Sequence, residues 1–67
     1  MKQFDDMITL SRDNNRSITI NRRDIVLIEP YSNWSKVTVA RWQFVYTYNI
    51  KETKEQILKM IEEADNK

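Results

Sequence analysis

Hydrophobic and polar residues alternate with a period of two over most of the first 50 residues. The alternating segments are residues 7–11, 17–21, 36–40 and 44–50. Because side chains two residues apart lie on the same face of a β-strand, each segment predicts a half-buried strand. Residues 24–30 instead contain four consecutive apolar residues before Pro30. Such a run needs cover on both faces, so we expect it to form the central strand and to end or bulge at the proline.

The sequence allows two registers for the last strand. One inward set is Phe44, Tyr46, Tyr48 and Ile50, and with a bulge the inward set would be Val45 with later residues. The connections before it contain no glycine, so ordinary residues must form every turn. Asn is the residue other than glycine that best tolerates positive φ, which predicts a tight turn at residues 12–16. Residues 41–43 predict a second hairpin connection.

After residue 51 the hydrophobic period changes to that of a helix. Thr53 followed by Gln56 matches a capping box, which marks the start of a helix. The apolar positions that follow form one stripe, consisting of Ile57, Leu58, Ile61 and Ala64, with Met60 on its flank. We therefore predict an amphipathic helix over about residues 54–64 that lies on the sheet.

These elements predict one α+β domain spanning residues 1–67. We expect a small antiparallel sheet of four to five strands over residues 7–50, connected as a meander, with one C-terminal helix over residues 53–64 packed on one face. Residues 1–6 are mostly polar and are expected to fray. No stretch approaches the roughly 20 apolar residues that span a bilayer, so we expect a cytoplasmic protein without a membrane partner.

The composition argues against an enzyme. The 67 residues include no Cys, His or Gly, so zinc sites, Cys or His nucleophile–base pairs and glycine-rich phosphate loops are excluded. The adjacent acids at residues 5–6 and 62–63 are interpreted as solvated charges, and the group at residues 13–15 as a turn, since the acid that calcium loops carry at position 12 is not Glu here. We expect no catalytic residue, no cofactor and no metal.

The charge leaves two kinds of partner open. Eleven basic and ten acidic residues are interspersed and give a net charge of +1, which offers too few phosphate contacts for a strong grip on nucleic acid. Arginine and tryptophan in turns nevertheless suit single-strand binding, and together with tyrosine they also mark protein interfaces. We favour a protein partner or self-association, and keep a small nucleic-acid-binding protein as the alternative. The candidate binding residues are Tyr31, Trp34, Arg41 and Trp42.

The chain also resembles a family. The segments that carry the resemblance are residues 7–12, 20–21, 24–30, 37–39 and 51–53, with Ile57 and Ile61 in the helix. This order resembles the small flagellar FlbD (swarming motility) proteins and is similar to short uncharacterised proteins of phages and prophages of Gram-positive bacteria. That family usually has Asn-Gly in both hairpin turns, where this chain has residues 13–15 and 40–43. The resemblance implies a small non-enzymatic protein, and the altered turns favour the phage or prophage type.

Overall fold

A computed structural model describes residues 6–65 and contains five β-strands and one α-helix. The elements are β1 (Met7–Ser11), β2 (Ser17–Asn21), β3 (Ile25–Pro30), β4 (Ser35–Arg41), β5 (Phe44–Ile50) and α1 (Lys54–Asp65), with a 3-10 turn at Arg22–Asp24. The predicted α+β fold with antiparallel strands and a C-terminal helix is confirmed. The fraying expected for residues 1–6 concerns a segment that, apart from Asp6, lies outside the described residues.

The strands form two antiparallel sheets instead of one. β1 pairs with β2, and β3, β4 and β5 form a second sheet in that order. A single bridge between Arg12 and Ile50 joins the sheets at one corner, where the Lys51 N–H donates to the Ser11 carbonyl over 2.7 Å. Beyond this corner, the described residues of β1 and β5 form no further strand pairing. Each sheet is therefore a short meander, and the link between β2 and β3 is the connection that breaks the expected single sheet.

The prediction of a central strand at residues 24–30 is wrong. β3 lies at the edge of its sheet, and β4 is the central strand. A register shift between Ile25 and Leu27 breaks the alternation of β3, so Val26 and Leu27 are both exposed while Ile25 and Ile28 pack against the core. A bulge thus accounts for the four consecutive apolar residues without cover on both faces. The strand does end at Pro30, as expected.

The core lies between the β1–β2 hairpin, the inner face of the second sheet, and α1. Its buried apolar residues are Ile8, Leu10, Ile20, Val37, Val39, Ile50 and Ile57. The helix packs against β1 and β3, with Ile57 completely buried. Met60 and Ile61 lie against this core, whereas Leu58, predicted to belong to the buried stripe, is exposed. The apolar stripe predicted from the sequence is therefore wider than the helix face that α1 buries against the core.

The start of α1 has the predicted capping box. The Thr53 N–H donates to Gln56 Oε1 over 2.9 Å, and the Gln56 N–H donates to Thr53 Oγ1 over 3.2 Å. Just before the cap, the half-buried Glu52 connects three elements. Its carboxylate accepts from the N–H and hydroxyl of Ser11 over 2.8 and 2.9 Å, and its carbonyl accepts from the buried hydroxyl of Ser35 over 2.6 Å. Glu52 therefore holds β1 and β4 to the start of the helix.

Candidate functional site

The four candidate binding residues fall into two pairs at opposite ends of β4. Tyr31 and Trp34 lie in the turn before this strand, and Arg41 and Trp42 lie at its far end. Seven residues of β-strand span about 20 Å, so the two pairs do not form one patch on a single copy. This separation agrees with the sequence reasoning, which placed the two turns at opposite ends of the strand.

The first pair forms a compact aromatic turn. The rings of Tyr31 and Trp34 stack with centroids 4.3 Å apart and an interplanar angle of 9°, and the Tyr31 N–H donates to the Trp34 carbonyl over 2.9 Å. Lys36 Nζ lies 6.0 Å from the centroid of the Tyr31 ring. The Trp34 side chain is only partly exposed. It lines an open cavity of about 230 Å³ together with Asp13, Asn49, Ile50 and Lys51.

The second pair lies at the tip of the β4–β5 hairpin. Arg41 pairs with Phe44, so only Trp42 and Gln43 form the loop. Trp42 has a φ of 61°, and only one other residue in the described part of the chain, Asn15, has a positive φ. A two-residue loop with positive φ at its first position normally places glycine there. Asn15 is the tolerated exception that the sequence predicted, whereas a bulky residue in this conformation is strained.

Trp42 is also the most exposed large hydrophobic residue in the described part of the chain. Its relative exposure is 92%, so the strained backbone is not offset by burial of the indole. Backbone strain of this kind costs of the order of 1–3 kcal/mol and is found mostly at sites that serve a function. The conformation and the exposure of Trp42 therefore both point away from a purely structural role.

Two further aromatic residues extend this site along β5. Phe44 and Tyr46 are 56% and 50% exposed, and their rings lie nearly parallel with centroids 6.4 Å apart. They line one shallow groove with Arg41 and Trp42. We call these four residues the hairpin surface. An apolar patch of this kind, with one charge at its rim, is typical of interaction sites.

Sequence reasoning missed the exposure of Phe44 and Tyr46. The unbroken pairing of β4 with β5 places both rings on the same face as Tyr48 and Ile50, as the first of the two registers predicted. Only Tyr48 and Ile50 reach the part of that face that the β1–β2 hairpin and α1 cover. The density of aromatic residues between Trp42 and Tyr48, without an intervening charge, was the available signal.

The basic residues do not gather around the hairpin surface. Arg22 and Arg23 contact the Asp6 carboxylate at 3.1 and 3.3 Å, and Arg12 lies 5.3 Å from the ring centroid of Tyr48. Arg41 is the one basic residue that lines the hairpin groove. A groove that tracks a nucleic-acid backbone needs several cations in a row, which this arrangement does not provide.

Within the described residues, no group of three or more acidic side chains lies close enough to hold a metal ion. None of the helices in residues 6–65 has the length and apolarity that crossing a membrane requires. Comparisons of the chain with protein-family models, curated proteins and solved structures find no significant match.

Replacing Trp42 with glycine should stabilise the protein. Glycine adopts positive φ without strain, and this gain exceeds the added entropy of the unfolded chain, so we expect the free energy of unfolding to rise by about 1 kcal/mol. Trp42→Ala is the matched control, because it removes the same indole but keeps a Cβ at positive φ. Urea unfolding of both variants measures the difference. Equal stability of the two variants would show that residue 42 is not strained.

Proposed function

We propose that this protein is a small non-enzymatic interaction module that binds another protein through the hairpin surface. The observation that carries the proposal is Trp42, which is almost fully exposed although its backbone is strained. Trp42 lowers the stability of the fold and does not cover the core, so a role in binding explains its presence better than a role in stability. Tryptophan, tyrosine and arginine are also the residues that most often dominate binding energy at protein interfaces.

The proposal keeps two expectations from the sequence. One is a cytoplasmic location, and the other is an origin of the phage or prophage type suggested by the resemblance to short phage proteins and FlbD proteins. The neighbouring genes would separate phage morphogenesis or replication from flagellar assembly.

The alternative function, binding of nucleic acid, rests on a narrower observation. Phe44, Tyr46 and Trp42 offer exposed rings on which bases could stack. The net charge of +1 and the dispersed arginines argue against it, because phosphate contacts supply most of the affinity of such proteins. We therefore rank a protein partner first.

The proposed function is tested by comparing capture of host proteins on immobilised wild type, Trp42→Ala and Trp34→Phe. Trp42→Ala leaves the hairpin strain and the core unchanged, so the two folds match while the central contact is missing. We expect a protein that wild type and Trp34→Phe retain and that Trp42→Ala loses, since truncating a central aromatic contact costs at least about 2 kcal/mol of binding.

Two outcomes would contradict this proposal. One is a retained protein that binds wild type and Trp42→Ala equally. The other is submicromolar binding of labelled oligonucleotides at about 0.15 M salt, with an affinity that falls steeply as salt rises and is lost in Trp42→Ala. That second result would replace the protein partner with the nucleic-acid alternative.

A further inference from the structure

The outer edge of β5 carries unpaired backbone groups next to the hairpin surface. In an antiparallel pair, the N–H and C=O of alternate residues point to opposite sides of the strand. The backbone N–H and C=O of Asn49 point away from β4, because the Asn49 carbonyl accepts from the Asp13 N–H over 3.2 Å on the side of β1. Because the direction alternates along a strand, the backbone N–H and C=O of Thr47 and Val45 point to the same side as those of Asn49. Within residues 6–65, no strand pairs with either of them on that side.

This edge lacks the usual protection against pairing with another strand. Exposed edges are normally shielded by a charge, a proline, a bulge or short length. β5 has seven residues and contains no charge and no proline, and its pairing with β4 is regular throughout. The other edge of the same sheet, β3, contains a bulge, Glu29 and Pro30. The unprotected edge is therefore the one beside Trp42.

We propose that β5 pairs with β5 of a second copy of this chain, antiparallel and about a twofold axis at Tyr46. This inference rests on the proposed function and names a second copy as one partner of the same surface. In this register Val45 of each copy lies opposite Thr47 of the other, so every unpaired N–H and C=O of these two residues gains a partner. The two sheets then form one six-stranded sheet, and the interface is self-complementary, as twofold symmetry requires.

The length of the open edge fits this register. The edge begins at the hairpin tip and ends at Asn49, where Asp13 is already bonded. Pairing of residues 44–48 of both copies uses the whole open segment and stops before Asp13. Trp42 lies outside the paired segment, toward the corner of the other copy where Arg12 bridges Ile50.

The area available predicts a dimer of modest affinity. A fully covered aromatic side chain buries about 150–250 Å², so complete cover of the exposed parts of Trp42, Phe44 and Tyr46 would bury at most roughly 400 Å² per copy. A standard interface buries about 800 Å² per partner, and Val45 with the paired backbone adds to the aromatic share. The net charge of +1 gives little repulsion between copies. We therefore expect the fraction of dimer to change with protein concentration over the range that sedimentation can measure.

The test is sedimentation of wild type, Thr47→Pro and Thr47→Ala over a range of concentrations. Proline removes the Thr side chain and the outward N–H of residue 47, which β4 does not use, and its fixed φ is tolerated at strand edges. Thr47→Ala removes the same side chain and keeps the N–H. We expect wild type and Thr47→Ala to dimerise, and the dissociation constant of Thr47→Pro to rise about tenfold or more, since the symmetric interface loses two hydrogen bonds.

Hydrogen exchange of wild type gives a second measurement that does not depend on the folding of Thr47→Pro. The Val45 and Thr47 amides should exchange fast in dilute solution and slowly in concentrated solution. Equal dissociation constants for Thr47→Pro and Thr47→Ala would overturn the β5 pairing. So would a wild type that stays monomeric with fast exchange at every concentration. Neither result affects capture of a different protein through Trp42, so this inference and the proposed function fail separately.

Discussion

Ile57→Ala should lower the free energy of unfolding by about 2–5 kcal/mol. The side chain is completely buried between α1, β1 and β3, so the substitution removes apolar burial and leaves a cavity. A chain of this length is stable by only about 0.05–0.15 kcal/mol per residue. The loss is thus a large share of the total, and part of the population should be unfolded without denaturant. Urea unfolding followed by circular dichroism measures it.

Leu58→Ala is the matched control, one residue along the same helix. Its side chain is 47% exposed, and the substitution removes the same kind of apolar group while keeping helix propensity high. We expect a loss well below that of Ile57→Ala, with Ile61→Ala between the two because Ile61 is partly buried. Equal urea midpoints for Ile57→Ala and wild type would mean that α1 is not docked on the sheets.

Glu52→Gln should cost about 1–2 kcal/mol of stability. Both carboxylate oxygens accept hydrogen bonds from Ser11, one from the backbone N–H and one from the hydroxyl. The amide oxygen of Gln can accept from the Ser11 N–H while its NH2 group donates to the Ser11 hydroxyl, so both contacts persist as neutral hydrogen bonds that lack the negative charge. Hydrogen bonds to charged groups are worth about 1.5–3 kcal/mol and neutral ones about 0.5–1.5 kcal/mol, so replacing the two charged contacts of the partly exposed Glu52 by neutral ones accounts for the expected loss.

Glu63→Gln provides the control for Glu52→Gln. Glu63 is exposed on α1, and surface substitutions of this kind usually change stability by less than about 0.5 kcal/mol. Thermal unfolding of the two variants at equal concentration isolates the Ser11 contact from a general effect of removing one negative charge. If both lose the same amount, the charge of Glu52 adds nothing measurable to the connection between β1 and the start of α1.

The elements of this fold were predictable because period, capping and turn chemistry agree locally. The change from alternating strands to a helical stripe at residue 51 and the Thr53–Gln56 capping box placed α1 correctly. The positive φ of Asn15 followed from the preference of Asn for that conformation. Each of these signals depends only on neighbours within a few residues.

The arrangement of the strands was harder to predict, because it depends on contacts between distant residues. Four apolar residues in β3 suggested burial on both faces, but the bulge at Val26 turns two of them to solvent at a sheet edge. The strands divide into two sheets that only the bridge from Arg12 to Ile50 joins within the described residues, and the sequence carries no local signal for this division.

The candidate site was predictable in part. Trp and Arg in turns pointed to Trp42 and Arg41, and the turn pair of Tyr31 and Trp34 was correctly placed at the other end of β4. The strain at Trp42 was not predictable, since residues of that size rarely adopt positive φ. It follows from the register of β4 and β5, which leaves only two residues for the turn.

The central claim is that Trp42 is exposed on the folded monomer and becomes covered when the protein binds. Acrylamide quenching of the Trp34→Phe variant tests this most directly, because Trp42 is then the only indole and the introduced phenylalanine ring can still stack on Tyr31. We predict strong quenching in dilute solution and protection at high concentration or after addition of a captured partner. Protection already present in a dilute protein that sediments as a monomer would contradict the account and place Trp42 in the core.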